Sequence, residues 1–207
     1  MTIYFKSRCS NFFLAGLSSL AVTGFWFCLT WEYGFDLSDE GYYWYGAQRV
    51  LRGEVPIRDF YAYDAARYYW SAFVMQIMDD DGPFSARLSA AIFQFIGTFS
   101  GVNICLLALQ DRGNIRWIFA VLVSVVLTIW VDPYYKVYDH ATSILIVAML
   151  VLMLKIAKPR EWFLAGVCLG ISAIFGRNHG VYGAAAVFFV VAVLLLKSTS
   201  RQSIFKL

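Results

Sequence analysis

The sequence predicts an all-α fold, a single polytopic membrane helix bundle of about six transmembrane helices with two juxtamembrane helices in its first outer loop. Apolar residues make up 60% of the 207 residues and charged residues only 15%, whereas soluble domains have roughly 45–50% and 25%. The chain also contains several uncharged runs close to the ~20 residues that a membrane helix needs. Ten of its 17 Lys and Arg residues lie in the N-terminal segment, in alternate connections between these runs and in the C-terminal segment. These observations exclude an ordinary soluble domain, and the 18% aromatic content excludes disorder.

The apolar runs set the predicted boundaries within one transmembrane domain, 1–207. Three of the runs have only ~14–15 residues, so we expect them to recruit flanking residues or to tilt inside the bundle. Arg87 lies near the start of the second run, and we expect it at the membrane interface, where a long side chain can snorkel. The first run is long for a signal peptide, which predicts an uncleaved anchor. The predicted spans are 12–31, 84–109, 117–131, 141–154, 162–175 and 181–196, with an outer loop at 32–83.

The charges predict the orientation. If the spans alternate, ten of the 17 basic residues but only two of the 14 acidic residues, Asp111 and Glu161, lie on the side of the N-terminus. Cytoplasmic segments are enriched in Lys and Arg, so we expect a multi-pass protein of the cell (inner) membrane with both termini in the cytoplasm. The ten basic residues are Lys6, Arg8, Arg112, Arg116, Lys155, Lys158, Arg160, Lys197, Arg201 and Lys206.

The outer loop is predicted to be ordered. Ser38 is predicted to be the N-cap of a helix with Asp39 and Glu40 in its first turn, and Gly53 is predicted to end that helix. A second helix is expected from Asp64 to about Met78, too short in its apolar part to span a bilayer. Two surface helices joined by a tight connector can hold a site.

Asp39 and Glu40 are the leading functional candidates. A carboxylate pair just beyond a membrane span can accept a proton from a hydroxyl, or Glu40 can ligate a divalent cation. Helix capping alone is the competing interpretation.

Two further polar clusters fall on the same predicted face. One contains Asp132, Lys136, Asp139 and His140, and the other contains Arg177 and His179. Lys136 and Arg177 could hold a phosphate, or they could anchor the chain at lipid headgroups. The two histidines could contact substrate, or they could be ordinary interfacial residues. Carboxylates and cations on one face suit transfer of a charged, membrane-anchored substrate.

The sequence does not suggest a disulfide framework, a cysteine zinc site or a nucleic-acid-binding site. Cys9, Cys28, Cys105 and Cys168 all lie outside the outer loops, which argues against a disulfide framework or a cysteine zinc site. The net charge of +3 belongs to the predicted inner face, and the chain carries no nucleic-acid-binding motif.

The order of motifs resembles bacterial membrane glycosyltransferases of the GT-C superfamily, the group with protein mannosyltransferase-like and aminoarabinose transferase-like enzymes. The most specific part is DEGYYWYGAQRVLRGEVPIRDF, and WFLAGVCLGISAIFGRNHGVYG supports it. The likeness covers residues 12 to 196. These enzymes typically have more than six spans, so the chain resembles their N-terminal half, and a C-terminal half would be a partner.

The resemblance implies a transferase that moves a hexosyl or pentosyl group from a polyprenyl-phosphate donor to a lipid, glycan or protein acceptor. It places the catalytic acid at Asp39, with Glu40 beside it, and a second acid at Asp132 or Asp139. Arg58 and Asp59 match the R-D-F motif, which implies positioning of donor phosphate and substrate. The family usually has an aromatic-His or His-His pair where this chain has Asp139 and His140.

A non-catalytic membrane protein is the alternative, either a transporter or flippase component or a truncated, inactive transferase. A transporter is expected to carry polar or broken helices at mid-membrane. The predicted spans hold almost no ionisable residue, which favours the transferase.

Overall fold

The computed structural model describes residues 2–109, 115–132, 134–156 and 159–197. Over these ranges the regular structure is helical apart from one isolated bridge between Pro56 and Phe60, so the all-α prediction is confirmed. A single 3-10 turn, Tyr134–Lys136, precedes the sixth helix. The helices are α1 (Thr2–Thr30), α2 (Asp39–Leu51), α3 (Ala65–Met78), α4 (Pro83–Ala108), α5 (Ile115–Val131), α6 (Val137–Ile156), α7 (Pro159–Phe175) and α8 (Arg177–Lys197).

Each predicted apolar run lies on a helix to within one residue. Within the described ranges, four segments are long and apolar enough to cross a membrane: Ser10–Thr30, Pro83–Ala108, Tyr134–Lys155 and Arg177–Leu194. Two apolar helices, Ile115–Val131 and Trp162–Phe175, are shorter. The helices are therefore compatible with a membrane, and the count of six crossings stays a prediction.

Contacts between helix ends show the relative directions of the helices. Arg87, near the start of α4, donates to the carbonyl oxygen of Trp31, just after α1, at 2.6 Å. Near the start of α5, Arg116 bonds Asn11 of α1 at 2.9 Å. Lys155, at the end of α6, lies 3.2 Å from the carbonyl oxygen of Leu107 at the end of α4. α1 and α4 are thus antiparallel, whereas α4 and α6 are parallel, with α5 connecting the end of α4 to the start of α6. We call the end that carries α2 and α3 the loop end.

α4 is the central helix, because it packs against α1, α3, α5 and α6. A Cβ atom at Gly97 would lie 2.8 Å from the Cα of Ala141 on α6. Only glycine permits this approach, which is typical of small residues at helix interfaces in membranes.

The two short helices follow the sequence prediction closely. α2 ends before Gly53, which has φ +87° and so takes the left-handed conformation that favours glycine. α3 begins directly after Asp64 and ends at Met78, and the next residue, Asp79, has φ +51°. One apolar core, which includes Tyr43, Tyr68 and Phe175, joins both short helices to α4, α6 and α7. This core fixes the loop end against the long helices.

Some residues that carried the orientation argument lie outside the described ranges. These are Asp111, Arg112, Lys158, Arg201 and Lys206.

Candidate functional site

The start of α2 determines where Asp39 lies. The side chain of Asp36 accepts hydrogen bonds from the backbone amides of Ser38, at 2.8 Å, and Asp39, at 3.4 Å. The side chain of Ser38 makes no capping bond, so Asp36 satisfies these amides where the sequence pointed to Ser38. A carboxylate suits this role because the N-terminal end of a helix carries partial positive charge. Asp39 is then exposed in the first turn.

Glu40 points the other way, into the protein. Its side chain is 5% exposed and forms a two-pronged ion pair with Arg87, whose side chain is 2% exposed. Arg87 also donates to the carbonyl oxygens of Thr30, at 3.2 Å, Trp31 and Tyr33. The expected snorkelling of Arg87 is therefore wrong, because its guanidinium finds five acceptors inside the protein. The ion pair between Glu40 and Arg87 could not be predicted from the sequence, because the two residues are 47 positions apart.

Two adjoining cavities, which we call the larger and the smaller lobe, open at the loop end, and Asp39 lines the larger one. The larger lobe has a volume of about 350 Å³ and the smaller of about 260 Å³, and Tyr63, Arg67 and Asp139 line both. Asp39 and Lys136 line the larger lobe, whereas Arg177 and His179 line the smaller one. The structure thus brings together members of three clusters that are well separated in sequence.

Arg67 is the residue that the sequence analysis missed. One nitrogen, Nη2, donates to Asp64 at 2.8 Å, Asp139 at 3.1 Å and the carbonyl oxygen of Phe175 at 2.8 Å. Among the described residues, Nη1 has no hydrogen-bond partner, and Nε is buried without one. The guanidinium is therefore fixed along one edge while donors remain for an anion in the cavity. Its placement three residues after the helix-starting Asp64 was the available sequence clue.

Asp139 lies on α6 and not in a loop, since α6 begins at Val137. Its carboxylate lies 3.5 Å from Nδ1 of His179, which belongs to the first turn of α8. The carboxylate of Asp64 accepts a hydrogen bond from the backbone N–H of Arg177 at 3.0 Å. The carboxylate of Asp64, the residue before α3, therefore ties the start of α8 to the cavity wall.

Other predicted residues do not reach the cavity. His140 stacks on Trp130 with ring centroids 4.9 Å apart, and its Nδ1 lies 3.2 Å from the carbonyl oxygen of Val131. Asp132 does not line either lobe; one of its oxygens is buried without a partner among the described residues. Burial raises the pKa of Asp132, and the nearby Arg87 opposes that effect.

Arg58 and Asp59 form an exposed pair with each other. Arg58 donates to both carboxylate oxygens, at 2.9 and 2.7 Å, and its side chain is 68% exposed. The guanidinium hydrogen bonds and the backbone N–H of Val55 lower the pKa of Asp59 to about 2. This pair fixes the connector between α2 and α3 and does not line either lobe.

Buried hydroxyl groups form the floor of the larger lobe. Tyr43, which lines the lobe, bonds Ser89 at 2.8 Å, and Ser89 bonds Ser71 at 2.7 Å and Tyr138 at 3.1 Å. The cluster joins α2, α3, α4 and α6, so four helices meet directly beneath the cavity. Burial also raises the pKa of the neighbouring Tyr68 to about 12.

The residues do not form a metal centre in the described part of the chain. No group of three or more His, Cys, Asp or Glu side chains is placed there to hold an ion. Both oxygens of Glu40, the predicted ligand, bind Arg87.

No family model, no curated protein and no solved structure matches the chain. The resemblance to membrane glycosyltransferases therefore stays a prediction that is argued from motifs and from the cavity.

Proposed function

We propose that the chain is a membrane glycosyltransferase that moves a sugar from a polyprenyl-phosphate donor to an acceptor hydroxyl at the extracytoplasmic surface. The observation that supports this most is the cavity shared by Asp39, Arg67, Lys136 and Asp139, with Arg177 at its far side. It places carboxylates and cations from separate helices around one space. Transfer of a sugar from a phosphate needs both kinds of group.

The relative directions of the helices support six crossings. α5 carries the chain from the end of α4 to the start of α6, and α7 carries it from the end of α6 to the start of α8. If the four long helices span the membrane, each of these shorter helices must also cross it. Seventeen residues in each give roughly 25 Å of helix, close to the ~30 Å hydrocarbon core.

The charges support the orientation. The loop end carries most of the acidic residues, whereas Arg116, Lys155 and Arg160 lie at the other end. Under the positive-inside rule the cavity then faces away from the cytoplasm, which is the proposed location in the cell membrane.

In the proposed reaction Asp39 acts as the general base. It takes the proton from the acceptor hydroxyl, whose oxygen bonds to the anomeric carbon while the bond from that carbon to the phosphate oxygen breaks. The bonding electrons leave with the polyprenyl phosphate. Arg67, Lys136 and Arg177 stabilise its charge, and Asp139 holds Arg67 in place.

Replacement of Asp39 tests the proposal. Membranes that contain Asp39→Asn are incubated with radiolabelled polyprenyl-phosphate sugars, and release of label from the lipid is measured. We expect a loss of at least about 100-fold, the lower range for general-base catalysis. Asp79→Asn is the matched control because Asp79 is exposed on the same face but does not line the cavity.

Transfer at the wild-type rate by a correctly inserted Asp39→Asn variant would refute the assignment. Release of no label by the unmodified chain, together with movement of the intact lipid across vesicles, would instead favour a flippase component.

A further inference from the structure

Tyrosine rings dominate the wall of the larger lobe. Five of its nine lining residues are tyrosines, and the remaining four are charged. Tyr43 and Tyr68 are buried, at 5% and 3% exposure, and belong to the floor, whereas Tyr42 and Tyr63 are 42% and 57% exposed. The exposed rings therefore stand at the mouth of the lobe, available to a ligand. The five tyrosines are Tyr42, Tyr43, Tyr63, Tyr68 and Tyr135.

A further ring extends this wall to the surface. Tyr61 is 68% exposed and packs edge-on against Tyr63, with ring centroids 5.0 Å apart. The hydroxyl of Tyr42 donates to the backbone carbonyl oxygen of Tyr61. Tyr42, Tyr61 and Tyr63, which we call the tyrosine platform, thus form one connected set that is braced by the backbone.

The combination of rings and charges suits a carbohydrate. The face of an aromatic ring carries partial negative charge and attracts the polarised C–H groups on one side of a sugar ring. Carboxylates accept hydrogen bonds from sugar hydroxyls, and the Lys136 ammonium donates to them. An alkyl chain gains nothing from a lobe lined by two carboxylates and two cations.

Interfacial anchoring is the competing explanation for exposed tyrosines in such a chain. Tyr45 and Tyr69 fit it, because they are 51% and 45% exposed but line neither lobe. Tyr42 and Tyr63 differ from them, because they share a wall with Asp39 and Arg67. The platform is therefore directed at the cavity as well as at the surroundings.

We propose that the tyrosine platform binds saccharide and that the acceptor in the transfer reaction is a glycan. This inference rests on the proposed function, since it assigns the acceptor of the same cavity. The platform reaches from the mouth of the lobe, beside Asp39, to the protein surface, so it can hold sugar units beyond the one that receives the new bond. Tyrosines suit this role because they offer rigid contact area with little side-chain entropy to lose.

Binding without donor tests the inference. The full chain in detergent micelles is titrated with cellotetraose, maltotetraose, chitotetraose and mannotetraose, and binding is followed by saturation-transfer NMR on the sugar ring protons. We expect at least one tetrasaccharide to bind, and we expect Tyr61→Ala and Tyr63→Ala to weaken it about tenfold or more each. Tyr69→Ala is the control, since it removes an exposed tyrosine of α3 outside the cavity and is expected to leave binding unchanged.

Absence of binding by all four saccharides would overturn the inference, as would equal losses in Tyr63→Ala and Tyr69→Ala. Label transfer that depends on Asp39 but goes to a peptide or lipid without sugar would also overturn it and leave the proposed function standing. Saccharide binding that depends on the platform in a chain without donor turnover would refute the proposed function, and with it the assignment of the acceptor, but would leave the platform as a saccharide site. The two failures are therefore distinguishable.

Discussion

Removal of the Arg87 side chain is expected to destabilise the loop end strongly. Arg87→Met keeps the apolar length of the side chain but removes a guanidinium with five acceptors: two carboxylate oxygens of Glu40 and three backbone carbonyl oxygens. Glu40, at 4% exposure, would keep a buried charge without a partner. The polar contacts by which Arg87 joins Glu40 of α2 to the end of α1 would be lost together.

Known behaviour of buried ion pairs sets the magnitude. Removing one partner of a buried pair costs about 3–5 kcal/mol, because the other charge remains desolvated. For a chain of this length, each kcal/mol lost from the free energy of unfolding lowers the midpoint of thermal unfolding by about 2–4 °C. We therefore expect the midpoint to fall by roughly 6–20 °C. The seven tryptophans provide an intrinsic fluorescence signal for thermal unfolding in detergent.

A double-mutant cycle with Glu40→Gln isolates the pair. The double variant leaves no buried charge, so its loss is expected to be smaller than the sum of the single losses by about 0.5–3 kcal/mol. Arg58→Met is the matched control, because Arg58 makes a two-pronged pair of similar geometry with Asp59 at an exposed position. Exposed pairs contribute little. Additive losses in the cycle, or equal effects of Arg87→Met and Arg58→Met, would refute the reasoning.

Two further predictions concern packing and pH. Gly97→Ala is expected to lower stability by about 1–3 kcal/mol, because the new methyl group would press on Ala141 and overpack the interface. Gly24→Ala is the control, because no atom lies within 4 Å of the added Cβ. Equal midpoints of thermal unfolding for the two variants would contradict the close approach of Gly97 to Ala141. Burial raises the pKa of Asp132 above its ordinary value of 3.8, so its contribution to stability is complete below about pH 3.8 and is lost as the pH rises through the folded pKa. Asp132→Asn is therefore expected to raise stability at pH 7 relative to pH 4 in thermal unfolding, and superimposable pH profiles would contradict this.

The boundaries of α2 and α3 were predictable because local chemistry sets them. Gly53 ends α2 through its left-handed backbone, and Asp64 directly precedes α3, as the sequence indicated. The capping residue of α2 was not predictable in the same way. Ser38 and Asp36 are both good caps, and only the path of the chain after α1 determines which one reaches the free amides.

The positions of Asp39 and Glu40 could likewise be predicted from the sequence, but their different roles could not. The sequence places both in the first turn of a helix, where they are adjacent and look equivalent. One helical step is about 100°, so the two side chains point to different sides, and one of them meets Arg87. Which carboxylate faces the cavity depends on the packing of α2 against α4.

The sequence by itself determined the all-helical architecture and the placement of the helices, because apolar runs, caps and glycines act over a few residues. It also placed three polar clusters on one predicted face. Only the tertiary structure decided which members of those clusters meet: Arg67 enters the cavity wall, while Glu40, Arg58 and His140 bind other partners. The physical reason is that a side chain's partners depend on helix rotation and crossing, which are set by packing between residues far apart in the chain.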